Sequence, residues 1–108
     1  MLRVAAAKGT MLEDTFINHI EMVMRYCRPA TSMFPTVYTD EELKQIDLPT
    51  LLLIGDGDKI YNPKKAIARA QRLMADITAE IIPDAGHLLI MDRPDSINVL
   101  ILRFLNSD

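Results

Sequence analysis

A carboxylate and an imidazole, Asp58 and His87, stand 29 residues apart, each just beyond an apolar run. Asp58 closes the run Leu51-Leu-Leu-Ile-Gly-Asp-Gly-Asp, and His87 closes Ile81-Ile-Pro-Asp-Ala-Gly-His. Such a pair can form the orienting part of a nucleophilic triad. The acid fixes the tautomer of the imidazole and stabilises the imidazolium that forms when the ring takes a proton from a nucleophile. Other side chains make weaker cases. Asp56 reads as a turn residue, and with Asp58 it forms a carboxylate pair that has no further ligands at a metal-binding spacing. His19 falls on the polar side of a helical pattern, where solvent satisfies it. Cys27 lies in the apolar stripe of that helix, and Ser32 is the sole serine ahead of Asp58. Lys64, Lys65, Arg69 and Arg72 read as a solvated helix face. The seven methionines read as core filler. No cofactor and no metal are implied.

The elements needed to position the pair are legible around it. Residues 51–54 lack polar alternation, as expected of a strand buried on both faces in a parallel sheet. Gly55 and Gly57 let the chain leave the strand sharply, with Asp56 and Asp58 in the loop beyond. Asn62 is placed to cap a helix whose first residue is Pro63, since proline has no N–H to lose there. Ala66, Ile67, Ala70 and Leu73/Met74 share one face of that helix. Residues 77–82 read as a second strand, whose Thr78 and Glu80 suit an outer position. Strand, helix, strand is a βαβ unit with parallel strands, so both loops leave at the same sheet edge. Asp58 and His87 are thereby expected to meet.

Flanking segments complete the expected architecture. Thr10 and Glu13 have capping-box spacing, and Leu12, Phe16, Ile20, Val23/Met24 and Cys27 then recur as an amphipathic helix reaching about Arg28. Pro29 and Pro35 bound an irregular link. Thr39 and Glu42 form a second capping box, opening a short helix that ends before Asp47. Residues 92–95, around Pro94, start a last helix from Ser96 to about Leu105, with Ile97, Leu100/Ile101 and Phe104/Leu105 as its buried stripe.

Composition sets the broad class. At 108 residues the chain is one small domain or a piece of a larger one. With 49% apolar and 25% charged residues it is expected to be globular. A net charge of −3 without basic runs gives no case for nucleic acid or an acidic membrane. No apolar run approaches the roughly 18 residues of a membrane span, and the N-terminal apolar stretch is too short for a secretory signal. One cysteine excludes an internal disulfide and fits a reducing compartment, so a cytoplasmic location is expected.

The Leu-Pro-Thr-Leu-Leu-Leu-Ile-Gly-Asp-Gly-Asp run, the Pro-Asp-Ala-Gly-His turn, and Arg-Pro-Asp before a helix ending Arg-Phe-Leu together resemble the C-terminal part of an α/β-hydrolase of the serine hydrolase, carboxylesterase-like kind. The resemblance implies a truncated α/β-hydrolase-like fold, with Asp58 as triad acid and His87 as triad base. It divides the chain into a cap-like helical segment and link, residues 1–38, and a C-terminal subdomain, residues 39–108. The family's nucleophile sits ahead of the acid in a Gly-x-Ser-x-Gly elbow between strand and helix. Neither Ser32 nor Cys27 has that context, so no nucleophile is assigned. A second likeness, of Gly55-Asp-Gly-Asp to an acidic motif of haloacid-dehalogenase-like phosphatases, fails where Lys59-Ile60 stand in place of Asn-Asp.

Ester or acyl hydrolysis is therefore the parent chemistry implied, by a chain expected to be inactive alone. The alternative is a non-catalytic oligomeric module that keeps the geometry without the chemistry. Two strands make a marginal sheet, so the chain is expected to self-associate, most simply as a two-fold dimer, or to need a missing N-terminal half.

Overall fold

A computed structural model describes residues 7, 12–28 and 35–107 of the chain. Its elements run α1 (Asp14–Tyr26), α2 (Asp40–Lys44), β1 (Thr50–Gly55), α3 (Pro63–Leu73), β2 (Ile77–Ile82), α4 (Leu89–Asp92) and α5 (Pro94–Leu105). β1 and β2 pair in parallel, with Thr50 opposite Ile77 and Gly55 opposite Ile82. The helix α3 between them packs on the sheet, completing the expected βαβ unit.

Local chemistry explains the connecting elements. The Asn62 side chain accepts a hydrogen bond from the Lys65 N–H at 3.1 Å, and Pro63 opens α3. Together they satisfy one free donor of the first turn and remove another. Ala70 and Leu73 are the buried residues of α3, and the Met74 N–H closes it on the Ala70 carbonyl. At α2 the capping box is reciprocal: the Glu42 N–H donates to the Thr39 hydroxyl at 3.2 Å, and the Thr39 N–H donates to the Glu42 carboxylate at 2.8 Å.

The core lies beneath the carboxyl ends of the strands. Ile82, Ala85 and Ile97 form a buried cluster, with Leu53, Leu89 and Leu100 packed against it. Ile54 and Ile97 are the largest fully buried side chains, each contributing about 1.5–3 kcal/mol. Because Ala85 belongs to both this cluster and the turn leading to His87, the core fixes the imidazole's base directly.

Several expectations are corrected. β1 is only half-buried along residues 50–53 and reaches full burial at Ile54 and Gly55. β2 covers one edge of β1, and its other edge is unpaired among the described residues. α1 begins at Asp14 with Glu13 at its N-cap, and the Glu13 side chain makes no capping bond. Thr10, the expected partner, lies outside the described residues, as do Pro29 and Ser32. Only the first half of the α1 stripe is sheltered: Leu12, Phe16 and Ile20 are half-buried, whereas Val23, Met24 and Cys27 are exposed. α5 begins at Pro94 rather than Ser96, and the single turn α4 precedes it. On α5, Ile97 is buried and Leu100 and Phe104 are half-buried, but Ile101 and Leu105 face outward. Arg69 is not simply solvated either. Its guanidinium donates to Asp40 Oδ1 and to the Tyr38 carbonyl, tying α3 to the segment entering α2.

Candidate active site

The two loops at the carboxyl edge of the sheet are pressed together by backbone contacts. The Asp56 N–H donates to the Ile82 carbonyl at 2.9 Å, and the Gly57 N–H donates to the Ala85 carbonyl at 2.9 Å. Gly55 is needed for this approach, because a Cβ there would overlap the Ala85 carbonyl and the Gly86 oxygen. The glycine therefore serves contact between the loops as well as the exit from β1.

Asp58 and His87 emerge from this junction facing each other. His87 Nδ1 lies 2.9 Å from Asp58 Oδ2. The other carboxylate oxygen, Oδ1, accepts the Ile60 N–H at 2.8 Å. Both oxygens are thus engaged, and the Asp58 side chain is only 1% exposed while that of His87 is 37% exposed. An ionised carboxylate only accepts hydrogen bonds, so this contact puts the imidazole proton on Nδ1 and leaves the Nε2 lone pair available. Among the described residues Nε2 has no hydrogen-bond partner. The arrangement is an oriented, half-exposed base over a buried acid.

Two neighbours that sequence reasoning had not singled out shape this pair. The ring of Tyr61 meets the His87 ring edge to face, with centroids 5.7 Å apart and planes at 85°. Burial raises the Tyr61 phenol above its ordinary range, with the Asp58 charge adding to the effect. Asp92, 6% exposed, reaches back from α4 to the turn before His87. The Gly86 N–H donates to Asp92 Oδ2 at 2.7 Å. The Ala7 N–H donates to the same carboxylate at 2.9 and 3.0 Å. An acid inside Leu88-Leu-Ile-Met-Asp92, five residues past His87, is the sequence signal for it, although the same residue also reads as the start of the last helix.

The remaining candidates stay apart from the pair. Asp56 is exposed in the turn, His19 is exposed on α1, and Cys27 is exposed at that helix's C-cap. No group of three or more His, Cys, Asp or Glu side chains converges as a metal site among the described residues. No helix among them is long and apolar enough to cross a membrane.

Comparison with known proteins identifies the family of the fold. The model of the α/β-hydrolase fold family matches residues 10–94. The chain belongs to the α/β-hydrolase fold family. Among its relatives is the uncharacterized carboxylesterase nap of Bacillus subtilis, 44% identical over 80 residues, which are 74% of this chain and 27% of that protein. Carboxylesterase YbfK of the same organism is 42% identical over 81 residues, covering 75% of this chain and 27% of the relative. The crystal structure of carboxylesterase CesB (YbfK) superposes with a TM-score of 0.85 at 32% identity, covering 98% of this chain and 39% of that one. The chain therefore spans about a quarter of the length of the curated relatives it matches. Its parallel two-stranded sheet with flanking helices is a truncated form of the family fold.

Proposed function

We propose that this chain carries the acid–base half of an ester-hydrolysing site, with Asp58 as the orienting acid and His87 as the general base. The observation that carries the reading is the 2.9 Å contact of His87 Nδ1 with a buried Asp58 oxygen. In this role Nε2 takes the proton of an attacking serine hydroxyl, and Asp58 stabilises the resulting imidazolium. The protonated ring then returns the proton to the leaving alcohol, and a second cycle with water releases the acid. The serine and the backbone donors for the oxyanion have no counterpart among the described residues, and Ser32 lacks an elbow sequence. The chain alone is accordingly inactive, and a nucleophile must come from another polypeptide segment. The carboxylesterase relatives support an ester as the substrate class.

The exposed apolar residues Met22 and Val23 on α1, and Val99, Leu102 and Leu105 on α5, favour a second reading. In it the chain is a non-catalytic module whose uncovered faces associate with a second copy, most simply about a two-fold axis. An N-terminal half of the same fold is the other candidate cover.

One experiment separates the two readings. Hydrolysis of an activated short-chain ester is measured for the chain alone and after mixing with a serine-bearing N-terminal half of a carboxylesterase relative. The chain alone is expected to match buffer. The mixture is expected to be active, and His87→Ala or Asp58→Asn in this chain should each abolish that activity. A mixture whose activity ignores both substitutions would remove the catalytic reading. A mixture with no activity, from a chain that is dimeric by light scattering, would favour the non-catalytic module.

A further inference from the structure

The buried carboxylate of Asp92 is not part of the proton-transfer pair, yet it sits against the backbone that presents the imidazole. Its Oδ2 accepts both the Gly86 N–H at 2.7 Å and the Ala7 N–H at 2.9 Å, and its Oδ1 also accepts from Ala7 at 3.0 Å. Gly86 is itself buried, so its N–H cannot turn to bulk water for a partner. On the other side of the same turn, the Ala85 carbonyl is held by the Gly57 N–H. The peptide units before His87 are thus fixed from two directions. One hold comes from the loop that carries Asp58, and the other from the turn of helix that follows His87. Asp84, at the start of this turn, has φ of 54°, a left-handed conformation that needs support from its surroundings.

We propose that Asp92 is a positioning residue for His87, setting the Gly86–His87 backbone so that Nδ1 meets Asp58. The inference rests on reading Asp58 and His87 as an acid–base pair. Its physical basis is charge-assisted hydrogen bonding in a site with little water, where short N–H···O⁻ contacts are the strong and directional ones. Without the carboxylate the Gly86 N–H has to find another acceptor, and the peptide rotates to do so. Since His87 is the next residue, that rotation swings the imidazole away from Oδ2 of Asp58. The bond that Asp92 accepts from Ala7, 85 residues away in sequence, ties that residue to the same turn.

The test reads the imidazole rather than hydrolysis, so it is independent of whether the chain can turn over an ester. Nitrogen-15 spectra of the full-length chain at neutral pH report which ring nitrogen of His87 bears the proton. The wild-type chain is expected to show the Nδ1–H tautomer, with a hydrogen-bonded downfield Nδ1 proton. Asp92→Ala should lose that proton signal and move the ring nitrogens toward the Nε2–H form. Asp92→Asn, which keeps an oxygen for the Gly86 N–H, should retain the wild-type tautomer. The amide pattern of β1 and β2 shows whether each variant is folded. A purely structural Asp92 would lower the unfolding midpoint while leaving the tautomer unchanged in a folded Asp92→Ala chain, and that result overturns the proposal. If Asp92→Ala does not fold, hydrogen exchange of the wild-type Gly86 amide decides. Exchange roughly 100-fold slower than that of an exposed loop amide supports the bond, and exchange at the exposed rate overturns it. Loss of the tautomer in a folded Asp92→Asn chain would also overturn the acceptor role.

Discussion

Replacing Gly55 with alanine should cost this fold far more than the same change two residues later. Neither glycine has a positive φ, so the difference comes from clearance and not from backbone strain. At Gly55 the new Cβ would overlap the Ala85 carbonyl and the Gly86 oxygen, both backbone atoms of a turn held by the core. Those atoms cannot swing aside as a side chain tip would. Overpacking of this kind costs about 1–3 kcal/mol. The displaced turn also loses or lengthens the Gly57 N–H to Ala85 carbonyl bond, adding about 0.5–1.5 kcal/mol. Against this stands a gain of about 0.4–1 kcal/mol from the less flexible unfolded chain. The net expectation for Gly55→Ala is a loss of about 0.5–4 kcal/mol. At Gly57 the nearest atom to a built Cβ is the Ala85 oxygen at 3.2 Å. A few tenths of an ångström of adjustment suffices there, and the entropic gain offsets it, so Gly57→Ala should lie within about 0.5 kcal/mol of wild type. Urea unfolding followed by circular dichroism measures both. The same samples should show a perturbed His87 Nδ1 proton in Gly55→Ala and an unperturbed one in Gly57→Ala. Equal stabilities for the two variants would refute the idea that close approach of the loops at Gly55 holds the pair in place.

Two pH predictions follow from the groups with shifted ionisation. The hydrogen bond from Arg69, aided by the charges of Arg69, Arg72 and Lys44 and partly opposed by desolvation, holds Asp40 below the usual carboxylate range. Because the folded value is depressed, the contribution of Asp40 is fully present above the ordinary carboxylate range and is lost as pH falls through the lower, folded value. Asp40→Asn should therefore be less stable than wild type at neutral pH, with the gap closing in strong acid; a gap independent of pH in urea titrations would contradict this. Tyr61 is shifted the other way, by burial first and by Asp58 second. Its folded value is raised, so stability is intact below the ordinary phenol range and declines as pH rises through and beyond it. In an ultraviolet phenolate titration one of the three tyrosines should ionise late, Tyr61→Phe should remove that step, and Asp58→Asn should bring it partway back; a late step that survives Tyr61→Phe would assign it elsewhere.

The parts of this structure that sequence reasoning reached were those governed by local rules. Asn62 with Pro63, and Thr39 with Glu42, mark helix starts because the free N–H groups of a first turn demand such partners nearby in the chain. The parallel strand pair followed from an apolar run, a helix and a second run, and that topology was enough to bring Asp58 toward His87. What was missed depends on contacts between distant segments. Arg69 looked solvated because its helix face is polar, but its partners Asp40 and Tyr38 lie 29 and 31 residues away. Asp92 looked like a helix-start acid because nothing local says that one turn of helix will fold it back onto Gly86. The outer half of the α1 stripe was expected to be buried because periodicity reports an apolar face without saying whether anything covers it. Val23 and Met24 have that face and no cover among the described residues.

Geometry and stability are separable in this chain. Among the described residues, contacts that orient the Asp58–His87 pair come from β1, its loop, the turn after β2 and α4, and Ala7 joins them from a distance. Positioning thus draws on the βαβ unit and the turn of helix behind it. Stability is another matter, since the large buried side chains among the described residues are few, Ile54, Leu73, Ile82 and Ile97, while apolar residues of α1 and α5 remain open to solvent. A two-stranded sheet with so small a core is marginal in water. Covering the faces of α1 and α5 would add apolar burial at about 25 cal/mol per Å² without moving any atom that holds the imidazole. A partner that docks there would raise the population of chains in which the pair is formed. On the proposed reading the pair would meet that partner already oriented, and the nucleophile and the oxyanion donors would be left to supply.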